Sequence, residues 1–178
     1  MPFEKESYLF TRIFESKFIS DFVESLRYKT YAYIEPVGFF GIPDLVIVNL
    51  PRSNSKLSII RSFAFEMKLS NWKRAIIQAY KYRAFVNLSF VVLDQTYIKP
   101  ALINIDQFIS SNIGLISVDD NVRIKVLYYP NKTEPYSIPL QNKLEEMVLK
   151  KDSLNINKYK QFVNSNNRLL TGTSVLIW

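Results

Sequence analysis

The residues of this chain that could do chemistry together lie in two short strings, Pro43-Asp44 and Glu66-Met67-Lys68. Asp44 and Glu66 are 22 positions apart, and each adjoins an apolar run with the composition of a strand. Two carboxylates and one ammonium around a metal ion are what phosphodiester hydrolysis needs. A pair of carboxylate oxygens, completed by waters and a phosphate oxygen, suits octahedral Mg2+, with Mn2+ as a substitute. Such an ion polarises the phosphate, lowers the pKa of a water and neutralises the leaving oxygen. Lys68 would touch the attacking water or the phosphate and stabilise the growing negative charge. Whether it also accepts a proton stays open at this stage.

The rest of the composition narrows the alternatives. The chain of 178 residues has no cysteine and no histidine. Disulfides, thiolate nucleophiles, Ser-His pairs and Cys- or His-based zinc sites are therefore excluded. Any acid-base work falls to carboxylates, Lys, Tyr or metal-bound water. The formal charge is +7, and it is not spread evenly. The first 50 residues lean acidic, whereas residues 67–83 carry Lys68, Lys73, Arg74, Lys81 and Arg83 with no acid. A local basic surface favours a polyanion partner; the plain alternative is a solvated helix face. No signal peptide or membrane-length apolar run is seen, so a soluble cytoplasmic protein with no membrane partner is expected.

The elements that must position these residues follow from periodicity. Leu9, Ile13, Phe14, Phe18, Phe22 and Leu26 recur at helical spacing and predict a helix over 7–27. Residues 31–38 read as extended, and Gly38 and Gly41 bracket a turn. Residues 44–50 and 57–68 read as the two arms of a β-hairpin around a polar turn. A helix is expected over 71–86 with Asn71 as N-cap, then a buried strand over 88–93. A weaker helix near 103–111 and a strand pair at 113–118 and 122–129 follow. Three prolines, 130, 135 and 139, mark a boundary. A core domain over 1–130 and a basic, partly helical extension over 131–178 are expected, with helices at 140–151 and 156–165 and an apolar tail at 175–178. The order α-β-β-β-α-β makes this an α/β chain with a mixed sheet and helices on both faces.

Alternation along the second hairpin arm puts Ser62, Ala64, Glu66 and Lys68 on one face and Phe63, Phe65 and Met67 on the other. Small residues beside the two charges leave room for a ligand. The hairpin can bring Asp44 close to Glu66.

Pro43-Asp44 followed by Glu66-x-Lys68 resembles the PD-(D/E)XK nuclease superfamily, and Gly41-Ile42-Pro43-Asp44-Leu45-Val46 looks like its usual second-strand sequence. Gln78-Ala79-Tyr80-Lys81-Tyr82 is similar to the Gln-x-x-x-Tyr motif of its RecB-like branches. The resemblance covers roughly residues 8–95. It implies a restriction-endonuclease-like core with a central four-stranded mixed sheet, divalent-metal dependence and a nucleic-acid substrate. It also implies a glutamate from the first helix beside the metal. Glu15 is the best match and Glu24 the second, and Glu35 in the first strand could serve the same purpose. A second Glu-x-Lys, at Glu15-Ser16-Lys17, falls in the predicted helix, where residues two apart diverge.

These readings converge on a Mg2+-dependent deoxyribonuclease. Asp44 and Glu66 would bind metal, with Glu15 completing the shell. Lys68 would assist the water and Gln78 would orient a ligand. Tyr82 is either a further site residue or the edge of the amphipathic core. Lys73, Arg74, Lys81 and Arg83 would meet phosphates, and Trp72 would stack on a base or simply pack. A homodimer is expected if two strands are to be cut. A Holliday-junction resolvase, a restriction endonuclease and an exonuclease on free ends are all compatible. The alternative from another class is a non-catalytic nucleic-acid-binding or assembly protein on the same scaffold.

Overall fold

Runs of Val, Ile, Leu and Phe bounded by polar turns make strands, and here they make one sheet. The computed structural model describes residues 5–15, 22–23, 27–52, 58–121 and 123–150, with the backbone alone for residues 14 and 15. Six strands line up in chain order: β1 (Lys29–Ile34), β2 (Leu45–Leu50), β3 (Arg61–Lys68), β4 (Leu88–Asp94), β5 (Gly114–Val118) and β6 (Ile124–Tyr128). β1, β2 and β3 are antiparallel neighbours, β3, β4 and β5 run parallel, and β6 returns antiparallel. The parallel steps need crossovers. Helix α2 (Trp72–Tyr82) supplies the first, and helices α3 (Lys99–Ile103) and α4 (Ile105–Ser111) the second.

The sheet is thus mixed, as expected, but wider than four strands. The strand pair foreseen at 113–118 and 122–129 extends the same sheet. β5 fits against β4 because Gly114 has no side chain: a Cβ there would collide with the Phe90 ring.

Alternation divides the core in two. One face buries Leu45, Ile47, Phe63, Phe65, Met67, Phe90 and Val92 against Leu9, Phe10 and Ile13 of helix α1 (Glu6–Glu15). The other buries Val46, Val48, Ala64, Val91 and Leu93 against α2, Phe108 of α4, and Leu144 and Val148 of helix α5 (Ile138–Leu149). The part of the predicted 7–27 helix beyond residue 15 lies outside the described residues, apart from 22–23 and 27, as does Glu24.

The boundary expected at 130 does not separate the residues that follow. Tyr136 and Ser137 N–H groups donate to the carbonyls of Arg83 and Ala84, and Leu144 and Val148 are buried with α2. Residues 131–150 therefore belong to the same core. Residues 151–178, with the predicted 156–165 helix and the apolar tail, lie outside the described residues.

Candidate active site

Glu66 is third from the end of β3, on the face that meets α2, and only 1 % of its surface is exposed. An ionised carboxylate at such a position needs partners. It has two. Lys68, two residues on and therefore on the same face, places its Nζ 2.9 Å from Glu66 Oε1. Tyr82, in the last turn of α2, donates its hydroxyl to Oε2 at 2.5 Å. The same hydroxyl lies 3.1 Å from the carbonyl of Ile42.

Asp44 stands just before β2, next to the Leu45–Phe65 pair. Its N–H donates to the Phe65 carbonyl, and its Oδ2 accepts from the Met67 N–H at 2.6 Å. These two bonds clamp the aspartate onto the strand that carries Glu66. The side chain has a cost to bear there. Burial, and then the charge of Glu66, push its carboxyl up to about 7, against the pull of the Met67 N–H and Lys68. Two carboxylates forced together in this way are short of positive charge.

Lys68 supplies part of it. Burial works against its ammonium, but the hydrogen bond and charge of Glu66, then Asp44 and Glu6, hold its pKa above the ordinary value. Lys68 is therefore held as a cation that donates to Glu66. Burial and the Glu66 carboxylate likewise push the Tyr82 hydroxyl up, so it also stays protonated and donates.

The first-helix acid at this place is Glu6, in the first turn of α1, with Oε2 3.2 Å from Lys68 Nζ. Glu15 stands at the opposite end of that helix, about 13 Å along the axis at 1.5 Å per residue, and its side chain lies outside the described residues. The signal that points to Glu6 is an acid at a helix start, since the helix N-terminus must sit at the sheet end that carries Lys68. Glu35 is not in β1 but directly after it, at φ 44, with its N–H on the Asp44 carbonyl. Glu35, Glu6 and Asp44 line one cavity of about 190 Å3.

The fit to a divalent cation rests on Asp44 and Glu66. Among the described residues, no group of three or more His, Cys, Asp or Glu is arranged to hold a metal. Mg2+ is often bound by only one or two carboxylates, with waters and phosphates completing the shell. Oxygen donors, mutual repulsion and a raised Asp44 are what such an ion would relieve.

α2 follows β3 through Leu69, Ser70 and Asn71. Asn71 Oδ1 accepts from the Arg74 N–H, the expected N-cap. The helix is shorter than the predicted 71–86. Lys73, Arg74 and Lys81 are exposed and line a cleft of about 570 Å3 together with Gln78 and Tyr82. Gln78 is half-buried, and its Oε1 is buried without a hydrogen-bond partner.

Two residues expected to meet nucleic acid make contacts within the protein. Trp72 is 6 % exposed and packs on Phe108 at 6.0 Å between ring centroids, so its faces are not open to a base. Arg83 turns to the far end of α4, where Nη1 donates to the Ser111 carbonyl at 2.9 Å, and its guanidinium lies over Tyr80.

Among the described residues no helix is long and apolar enough to cross a membrane. Compared with family models, curated proteins and solved structures, the chain matches none.

Proposed function

We propose that this chain is a Mg2+-dependent deoxyribonuclease on a restriction-endonuclease-like fold of the PD-(D/E)XK type. The observation that carries the reading is the convergence of Asp44, Glu66 and Lys68 at one end of β3, with the Asp44 carboxyl raised to about 7 by burial and by its neighbour Glu66. Asp44 and Glu66 would hold the ion, and Mn2+ would substitute for it. Bound there, it would supply charge neutralisation and water activation.

The remaining work falls to this chain's own groups. Lys68, held as an ammonium, stabilises negative charge on the phosphate. Tyr82 orients Glu66 and keeps one carboxylate oxygen supplied with a proton donor. Gln78, with a buried amide oxygen left without a partner, would orient a ligand or a water. Lys73, Arg74 and Lys81 carry the strand that leads into it. The homodimer expected for an enzyme that cuts two strands belongs to this proposal, and sedimentation velocity reads it.

One cleavage panel tests the reading. Single-stranded, duplex, flap and four-way-junction DNA are each incubated with Mg2+ or Mn2+ and wild type, Asp44→Ala or Lys68→Ala. Both variants should lose cleavage by at least about a hundredfold while still binding DNA. Equal cutting by all three proteins would trace the activity to a contaminant and sink the reading. Calorimetry showing no Asp44-dependent binding of Mn2+ or Mg2+ would favour the non-catalytic DNA-binding scaffold instead.

A further inference from the structure

α2 presents a second feature beyond the carboxylates. Lys73, Ile77 and Lys81 recur every four residues and form one stripe on the helix. The stripe makes one wall of the 570 Å3 cleft, and Gly41 and Ile42 make the other. That volume is in the range of a small-ligand site. Its lining carries three cations, Lys73, Arg74 and Lys81, and no acid. Between the cations the surface is apolar: Ile77 is 61 % exposed and Ile42 54 %. Phe40 adjoins it, 54 % exposed, with Lys81 Nζ 5.5 Å over its ring.

The cleft shares one residue with the candidate site. Tyr82 lines it and donates to Glu66. The smaller cavity beside Asp44 has the opposite character, lined by Glu6 and Glu35. A phosphate strand would be attracted to the first opening and repelled by the second.

Apolar floor and flanking cations together describe a base with its phosphates. In a duplex the faces of each base are stacked and its Watson–Crick edge is paired. Only an unpaired base can lay a face on Ile42 and Ile77. We propose that the cleft between residues 40–42 and α2 receives an unpaired nucleotide of single-stranded DNA, its base on Ile42 and Ile77 and its phosphates on Lys73, Arg74 and Lys81. This rests on the nuclease reading for where the strand is cut, whereas the binding stands on the cleft alone.

Fluorescence anisotropy in EDTA, where nothing is cut, tests it with one labelled sequence as single-stranded DNA, as blunt duplex and as RNA. The single-stranded DNA should bind at least about tenfold more tightly than the duplex, the size of one base-stacking contact. Ile77→Asp should weaken single-strand binding about tenfold more than duplex binding, since the added charge repels both but only the unpaired base loses its apolar contact. Lys81→Glu should also lower the dependence of log affinity on log salt by about 0.7, the single-strand value for one cation. Phe40→Ala is the second apolar probe, and thermal midpoints confirm that each variant is folded. Duplex or RNA bound as tightly as single-stranded DNA overturns the assignment, and so does a folded Ile77→Asp that binds like wild type. Single-strand preference without any cleavage under Mg2+ or Mn2+ would overturn the nuclease reading and leave the cleft assignment standing. Cleavage of duplex and single strand alike, untouched by Ile77→Asp, would do the reverse.

Discussion

The Tyr82 hydroxyl, carried by the last turn of α2, donates a 2.5 Å hydrogen bond to Glu66 Oε2 on β3. This single bond ties the basic helix to the buried carboxylate. It fixes the carboxylate plane, because Lys68 already holds the other oxygen. Tyr82→Phe keeps the packed ring and removes only the donor. Cleavage and metal affinity should each fall by about 10–100-fold, the usual cost of losing a partner to a ligand. Single-turnover rates and calorimetry measure the two; a Phe variant with wild-type values in both would mean that Tyr82 serves packing alone.

The closeness of Asp44 and Glu66 predicts a trade between stability and metal binding. Asp44→Asn removes one of two crowded carboxylates while keeping the shape of the side chain. In EDTA at pH 8 the variant should melt at a higher temperature than wild type. With excess Mg2+ the order should narrow or reverse, since only wild type gains from the ion. Differential scanning fluorimetry with and without Mg2+ reads both, and a variant less stable than wild type in EDTA would contradict the repulsion.

The same carboxyl sets a pH dependence. Asp44 faces Glu66, Glu6, Lys68 and the Met67 N–H, and its pKa is raised from 3.8 to about 7. A raised acid favours the folded state while it is protonated. Its contribution is complete below the ordinary value and is lost as pH climbs through about 7. The metal-free midpoint should therefore fall from about pH 4 to about pH 8, and Asp44→Asn should flatten that fall. Mg2+ competes with the proton, so its affinity should rise across the same interval. A wild-type profile as flat as that of the variant would remove Asp44 as the cause.

Gly41 is a backbone requirement of the site. Its φ is +100, and a Cβ there would stand 2.9 Å from Tyr82 Cε1. Gly41→Ala should cost about 1–3 kcal/mol in urea unfolding. It should also loosen Tyr82 from Glu66 and reduce cleavage more than a surface substitution of equal stability cost. Unchanged stability and activity would show that the loop yields freely.

Trp72 offers a contrast. Trp72→Ala opens a hole against Phe108 and should destabilise by about 3–5 kcal/mol. Single-strand affinity measured on the folded fraction should stay near wild type, because the ring is enclosed. A large loss of affinity with little loss of stability would return the tryptophan to the binding surface.

By itself the sequence determined the local order. Period-two alternation separates Glu66 and Lys68 from Phe65 and Met67, and the apolar runs within 44–50, 57–68 and 88–93 mark the strands. The Asn71 cap and the acid-free helix after it were legible for the same reason: they depend on neighbours in the chain. Sheet width, the acid that meets Lys68 and the fates of Trp72 and Arg83 were decided only by tertiary packing. β5 joins β4 through a crossover, and Glu6 reaches Lys68 across 62 positions. Trp72 and Arg83 are drawn inward by α4, which periodicity on α2 cannot register. The raised Asp44 belongs to this second group as well. A pKa follows from burial and from charges a few ångströms away, and both exist only once distant segments have closed on each other.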